Sequence, residues 1–368
     1  MGNEYSTAAH WPGDFDEAGL QKWAEGLRAQ LAAPQVSLGL VFMSPRFFPR
    51  AKQVLEILRV HARIPLLAGC SSQSLIVGEH EVEQNAGLSV ALYALPGAEL
   101  KAVHFTQEQV EEANGPGYWH LETEVEPGQT NGWLVFIDPF HLDSETWLRT
   151  WNEAYAPLPV LGGLASGELN EQATQVYLNG EVYDEGGVAI SVGGAVQLVA
   201  VTSQGCTPIG ETWTLTKVDQ NVIHQIGNRP AYEVLAETFN QLTPEQQKGA
   251  RGNLFIGLVV NEYLEDFHRG DFLIRNLLGA DPRSGSSSGS SRMVVAPIPV
   301  PRRSRRICFT AGICVRAWLS TSRSRALPLP VLSRPSVRSR SRTLANWPRN
   351  SSSRPGWAMN VCTALCRR

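Results

Sequence analysis

Two short runs of small residues carry the groups best suited to chemistry: Gly69-Cys70-Ser71-Ser72 and Gly162-Gly163-Leu164-Ala165-Ser166-Gly167. Glycine lets a ligand approach the backbone, and successive backbone N–H groups can hold a carboxylate. Ser71, Ser72 and Ser166 add hydroxyls to that cradle. Cys70 could act as a thiolate nucleophile if a base sat beside it. The plainer reading of Cys70 is a small apolar side chain packed at a strand end. The plainer reading of both runs is a pair of tight turns. A third cluster, Arg269, Asp271 and Arg275, could hold an anionic ligand or pair internally. Asp138 could touch a ligand, although helix capping already accounts for it.

Other chemistries find no support. There is no Gly-rich loop ending in Lys-Ser/Thr, no Gly-x-Ser-x-Gly elbow and no His-Glu-x-x-His. There is no Cys-x-x-Cys, and the 8 His are dispersed. A lone His such as His104 or His224 is more often structural than a ligand, so no metal and no cofactor are expected.

The elements that would position these runs come in pairs. Residues 40–45 (LVFMSP) align with 134–139 (LVFIDP) at an offset of 94. At the same offset 65–69 (PLLAG) aligns with 159–163 (PVLGG), and Ser72 falls on Ser166. Residues 87–92 then resemble 187–192 at an offset of 100. That spacing is too long for a solenoid repeat of roughly 20–50 residues. Two related α/β units are expected, the product of an internal duplication. In each, a buried strand (38–43 or 133–137) runs to a polar residue and a proline, Ser44-Pro45 or Asp138-Pro139, read as helix cap and first helical position. Ala51, Val54, Leu55 and Leu58 fall on one helical face, as do Trp147, Trp151, Ala154 and Tyr155. A second strand, 64–68 or 158–161, would lie parallel to the first through a right-handed crossover. Both small-residue runs would then sit at the carboxyl ends of parallel strands, where open α/β sheets bind ligands.

Beyond these units the pattern turns to hairpins: 87–95 with 99–105 about Pro96-Gly97, and 188–192 with 196–203 about Gly193-Gly194. A further hairpin is expected at 213–218 and 221–226, a helix at 230–242, and strands at 254–260 and 270–278.

The chain of 368 residues has a formal charge of −3, which averages two unlike pieces. Residues 283–368 hold 17 Arg and 17 Ser with no acid, no Lys and no His. The preceding body keeps 15 basic residues against 35 acidic ones, a balance of −20. Such a body disfavours nucleic acid, since phosphate binding needs a basic footprint. The tail reads either as an Arg/Ser arm for nucleic acid or as GC-rich DNA translated out of frame. Arg without Lys, beside Trp318, Trp347, Trp357 and four cysteines, favours the frame error. Pro interrupts it repeatedly and no apolar periodicity runs through it, so disorder is expected. No apolar run of about 18 residues argues for a membrane span. The polar start lacks a secretory signal. Six scattered cysteines suit a reducing cytosol.

Taken in order, Ala68-Gly69-Cys70-Ser71, Glu81-Val82-Glu83, Gly87-Leu88-Ser89, Asp138-Pro139, Gly162-Gly163-Leu164-Ala165-Ser166, Asn179-Gly180 and Gly186-Gly187-Val188-Ala189 resemble the N-terminal part of the FIST sensory domain. Gln204-Gly205-Cys206-Thr207-Pro208-Ile209-Gly210, Pro230-Ala231 and Arg269-Gly270-Asp271-Phe272-Leu273-Ile274-Arg275-Asn276 resemble its C-terminal part. Members continue well past the Gly-Asp-Phe-Leu-Ile-Arg stretch, with a Cys-containing turn and a closing strand pair that this chain lacks. The resemblance implies a small-molecule sensor, with ligands such as amino acids, signalling through kinases, cyclases or chemoreceptors. About 35 residues precede the first strand, too few for the F-box found beside eukaryotic members.

The expected fold is therefore mixed α/β (α+β), two related sheet-plus-helix units and a disordered tail. A lead-in helix would occupy 1–35. The FIST N-terminal domain would span 36–203, its repeats at 36–105 and 132–203. A truncated C-terminal domain would occupy 204–283, and the tail 284–368. The expected protein is a cytoplasmic bacterial sensor binding an amino acid or similar metabolite, with no nucleic acid and no membrane partner. The alternatives are a thiol-dependent enzyme using Cys70 and an interaction scaffold without ligand. The expected ligand-binding residues are Gly69, Cys70, Ser71, Ser72, Gly162, Gly163, Ser166, Arg269, Asp271 and Arg275. The tail reading is checked by translating the other two frames of the gene beyond codon 283. A continuation of the body's pattern is expected there, and its absence from both frames overturns the frame-error reading.

Overall fold

The computed structural model describes residues 4–78, 80–83, 87–167, 172–199, 206–219, 222–251, 254–259, 267, 271–281, 292–295 and 306–312. The described chain forms two compact units that divide between Ala200 and Val201.

The first unit runs β1 (Ser6–Trp11), α1 (Glu17–Gln30), β2 (Leu38–Met43), α2 (Ala51–His61), β3 (Leu67–Ser71), β4 (Leu75–Val77) and β5 (His80–Val82). It continues with β6 (Leu88–Tyr93), β7 (Ala98–Phe105), α3 (Gln107–Glu112), α4 (Pro116–Thr123), β8 (Trp133–Ile137) and α5 (Ser144–Tyr155). It ends with β9 (Val160–Leu164), β10 (Val176–Leu178), β11 (Glu181–Tyr183) and β12 (Gly187–Gly194). One sheet has six strands in the order β1-β6-β2-β3-β10-β11, and a second has four in the order β7-β12-β8-β9. In each the expected pair is parallel, β2 with β3 and β8 with β9.

The side-chain alternation of β2 and β8 explains the layers. Val41 and Met43 pack with Leu20, Leu27, Val54, Leu55 and Leu58 of α1 and α2. Leu38 and Leu40 point the other way, into a cluster with Leu134, Phe136, Val188 and Ile190 of the second sheet. Phe42 meets Phe136 edge to face at 5.6 Å between ring centroids. Trp133, Val135 and Ile137 turn outward onto Trp119, Trp147, Trp151 and Tyr155 of α4 and α5. The unit is thus helix, sheet, sheet, helix. Both faces of both sheets are covered, which is why these strands read as unbroken apolar runs.

A strand, β1, precedes α1 and pairs with β6, where only a lead-in helix was expected before the first strand. Two helix starts also differ from expectation. Asp138 does not cap α5; Asp143 does, accepting from the N–H groups of Glu145 at 3.2 Å and Thr146 at 3.0 Å. After β2, Pro45–Arg50 forms a 3-10 segment, and α2 begins only at Ala51. Ser44 makes no capping bond.

The two expected hairpins are also rearranged. β6 lies between β1 and β2, whereas β7 leaves for the second sheet and pairs with β12, Phe105 opposite Gly187. Residues 196–199 form no strand, and 200–203 lie outside the described residues. In return the hairpin β10–β11 joins the first sheet, Tyr177 opposite Gly69. Each half therefore lends strands to the other. A hairpin pattern in sequence marks where the chain turns, not which neighbour a strand takes.

The second unit comprises β13 (Cys206–Asp219), β14 (Val222–Ile226), β15 (Arg229–Pro230), α6 (Ala231–Gln241), α7 (Pro244–Ala250), β16 (Leu254–Val259), β17 (Phe272–Asp281), β18 (Arg292–Val295) and β19 (Arg306–Gly312). Its sheet runs β13-β19-β16-β17-β18-β14-β15, and an added β13–β14 pairing closes it on itself. Ile223, Ile226, Ile256, Leu258 and Met293 pack with Val234, Leu235 and Phe239 of α6. β18 and β19 fall inside the segment expected to be disordered. Backbone ladders need no particular side chains, and both strands fill gaps in the ring, β19 between β13 and β16. The rest of 284–368 lies outside the described residues. Among the described residues no helix is long and apolar enough to cross a membrane.

In the first unit, His104 of β7 stacks on Tyr183 of β11, with ring centroids 3.7 Å apart and planes 9° from parallel. Burial holds the His104 pKa below its ordinary 6.5, against opposing pulls from the Glu185 carbonyl and carboxylate. The fold thus prefers the neutral ring. This contribution to stability is complete above pH 6.5 and is lost as the pH falls from there through the folded-state value. Urea midpoints measured at pH 5 and pH 7.5 should show a fall toward acid that shrinks in His104→Phe; an unchanged pH slope in the variant contradicts the assignment.

Candidate functional site

The carboxyl ends of β2, β3, β8 and β9 meet in the first unit. Register places Gly69 opposite Val41 and Gly162 opposite Val135. Both glycines, with Cys70, Ser71 and Gly163, lie inside strands rather than in turns beyond them. A Cβ on Gly69 would stand 1.8 Å from the Val41 carbonyl oxygen, and one on Gly162 would stand 1.8 Å from that of Val135. Close strand approach therefore explains both residues without a ligand. The structural counterpart of Gly69 is Gly162, one residue earlier than the sequence alignment paired it.

Past the glycines the two strand ends are stitched together. Ser166 N donates to Ser71 O at 3.0 Å. Gln73 N donates to Ser166 Oγ at 3.0 Å, and Gln73 Nε2 to Gly167 O at 2.6 Å. Ser71 is fully buried; its Oγ accepts from Gln175 N at 3.0 Å, and its N–H donates to Gln175 O at 2.8 Å. Ser72 Oγ donates to Ser74 O at 2.6 Å. The two runs singled out in the sequence are thus neighbours, and their polar groups are turned mainly toward each other.

Cys70 is 5% exposed and belongs to the apolar cluster between the sheets, with Leu134, Phe136 and Val176. That is the setting of a packed thiol, not of a nucleophile open to substrate.

A feature that sequence reasoning missed lies at the end of β8. Asp138 is fully buried. Its carboxylate accepts from Phe140 N and His141 N, each at 3.0 Å, and from the Thr174 hydroxyl at 2.7 Å. His141 Nδ1 stands 2.8 Å from the same carboxylate, while its side chain is half exposed. A carboxylate on Nδ1 fixes the imidazole tautomer and leaves Nε2 facing outward. Asp followed by His three residues on, at a strand's carboxyl end, was the available signal; the following proline pointed to a helix start instead.

The remaining expected residues lie in the second unit. Arg269 is outside the described residues. Asp271 directly precedes β17, and Arg275 lies on that strand opposite Ile256. Arg275 Nη1 donates to Ile274 O at 2.9 Å, its Nε is buried without a partner among the described residues, and desolvation lowers its pKa. A depression of about 770 Å³ lies in the first unit, lined by Glu99, Lys101, Glu124, Gln129 and Asn131. It sits by the amino end of β8, away from the stitched strand ends, and the exposed pair Lys101–Glu124 at 2.5 Å crosses it. Among the described residues no three His, Cys, Asp or Glu side chains gather as a metal site.

The family model for the FIST N domain matches residues 37–229. Uncharacterized proteins of two Mycobacterium tuberculosis strains are similar: one is 31% identical over 259 residues, covering 70% of this chain and 66% of the relative. A Mycobacterium bovis protein, also uncharacterized, is 31% identical over the same share of this chain and 65% of its own length. The chain thus spans slightly less than two thirds of these relatives.

Because a Cβ at Gly69 or Gly162 would strike a backbone oxygen that no rotamer can move, Gly69→Ala and Gly162→Ala should each destabilise by about 3 kcal/mol or more. Gly26, in α1, has nothing within 4 Å of an added Cβ, and Gly26→Ala should stabilise by about 0.5–1 kcal/mol. Chemical denaturation of the three variants checks both signs, and a tolerated Gly69→Ala would remove the packing account of that residue.

Proposed function

This chain belongs to the FIST family, and from that premise we propose that it is a small-ligand-binding sensory module in bacterial signal transduction. The proposed ligand is an amino acid or similar metabolite. The site is the seam where β3 and β9 end, with the backbone about Ser71, Ser72 and Ser166 as its floor and His141 at its rim. The observation that carries this reading is the Ser166–Ser71 bond, which brings the two small-residue runs to one place. His141 donates its Nδ1–H to Asp138, so the neutral imidazole offers Nε2 as an acceptor beside that seam. The N–H groups of Ser71, Ser72 and Ser166 are taken up by Gln175, Met43 and Ser71, so a hydrogen-bond donor of the ligand is proposed to meet the imidazole of the half-exposed His141.

The burial of Cys70 speaks against the thiol-dependent enzyme. Signal output would pass to a kinase, cyclase or chemoreceptor partner in the cytoplasm. The Arg/Ser-rich segment beyond residue 283 is proposed to be out of frame.

A thermal-shift screen against amino acids and small carboxylates tests the reading. A ligand held at 100 times its Kd adds about 2.7 kcal/mol to apparent stability. A rise in Tm is expected, kept in Cys70→Ala and diminished in His141→Ala. A screen without any shift favours the interaction scaffold, and a shift abolished by Cys70→Ala revives the thiol chemistry.

A further inference from the structure

Within the first unit the two sheets share one plan up to a point. Strands β1-β6-β2-β3 match β7-β12-β8-β9 in order and in direction of pairing. The first sheet then goes on. The hairpin β10–β11 lies against the outer edge of β3, with Cys70, Gly69 and Ala68 opposite Val176, Tyr177 and Leu178. The second sheet stops at β9.

The open edge of β9 can be read group by group. Trp133 N donates to Pro159 O at 2.9 Å, and Ala165 N to Ile137 O at 2.8 Å. Odd-numbered residues therefore face β8. Val160, Gly162 and Leu164 turn their N–H and C=O groups outward, where no strand meets them among the described residues. Gly162 is exposed. An edge of Val, Leu and Gly without charge or proline is a template for another strand.

A strand pair of the right kind is at hand. β4–β5 comes between β3 and β6 just as β10–β11 comes between β9 and β12. It is of the same size, pairing Leu75 with Val82, Ile76 with Glu81 and Val77 with His80, yet it joins neither large sheet. β4 packs against β6 and β1 and buries Leu75, while Ile76 stays 40% exposed. The two bonds from Gln73 to Ser166 and Gly167 tie the chain just ahead of β4 to the chain just beyond β9.

We propose that the outer edge of β9 is a docking edge for the hairpin β4–β5 of the same chain, completing the second sheet as β10–β11 completes the first. The register follows from Gly69 and Gly162. Tyr177 opposes Gly69, so Ile76 opposes Gly162 and Val77 opposes Leu161. Among the described residues the hairpin makes no ladder to β9, and docking adds one. A strap tethered at Gln73 needs to swing only through the few residues that follow it.

Disulfide trapping tests this. In Val77→Cys/Leu161→Cys, mild oxidation should give a bond between the two new cysteines within one chain, found by peptide mapping and absent from each single variant. No bond, or bonds only between chains, overturns the proposal. Hydrogen exchange on otherwise unaltered protein covers the case of a double variant that fails to fold. The Gly162 and Leu164 amides should be protected at least tenfold more than in Ile76→Pro, whose proline removes a donor from the hairpin. Equal exchange in the two proteins overturns the proposal.

Discussion

Contact between the inner faces of the two sheets governs the first unit. Leu38 and Leu40 from one side meet Leu134, Phe136, Val188 and Ile190 from the other. Burying apolar surface yields roughly 25 cal/mol per Å², and this contact removes the inner faces of the central strands from water. The helices can then cover only the outer faces. The central strands β2 and β8 must then be apolar on both sides. The seam of Ser71, Ser166, Gln73 and Gln175 lies where β3 and β9 end.

Polar groups at that seam obey the same constraint. Buried polar atoms need partners. Ser71, Asp138 and Thr174 obtain them from one another's neighbourhoods: Ser71 from Gln175 and Ser166, Asp138 from Thr174, His141 and two backbone amides. This network fixes the ends of four strands in place and leaves the half-exposed His141 as its outlet to solvent. Cys70, one residue from Ser71, points instead into the apolar layer, as strand alternation requires.

Much of this was legible in the sequence. The parallel pairs β2–β3 and β8–β9, and the buried faces of α2 and α5, follow from apolar runs and helical spacing alone. What escaped was non-local. Nothing in residues 98–105 says that they pair with 187–194 rather than with 88–93, because both partners offer the same apolar face. Gly69 and Gly162 looked like turn residues because strand contact and a turn both select glycine. Asp138 looked like a cap because a following proline suits a helix start. Residues 306–312 were judged by the composition around them, which hid a short strand.

The loan of β7 to one sheet and of β10–β11 to the other makes the halves dependent on each other. Neither half, set free on its own, would possess a finished sheet: one would lack the strand beside β12, the other the cover on β3. Cutting the chain between the halves would therefore leave each with a bare sheet edge, and the two portions can only mature as one piece.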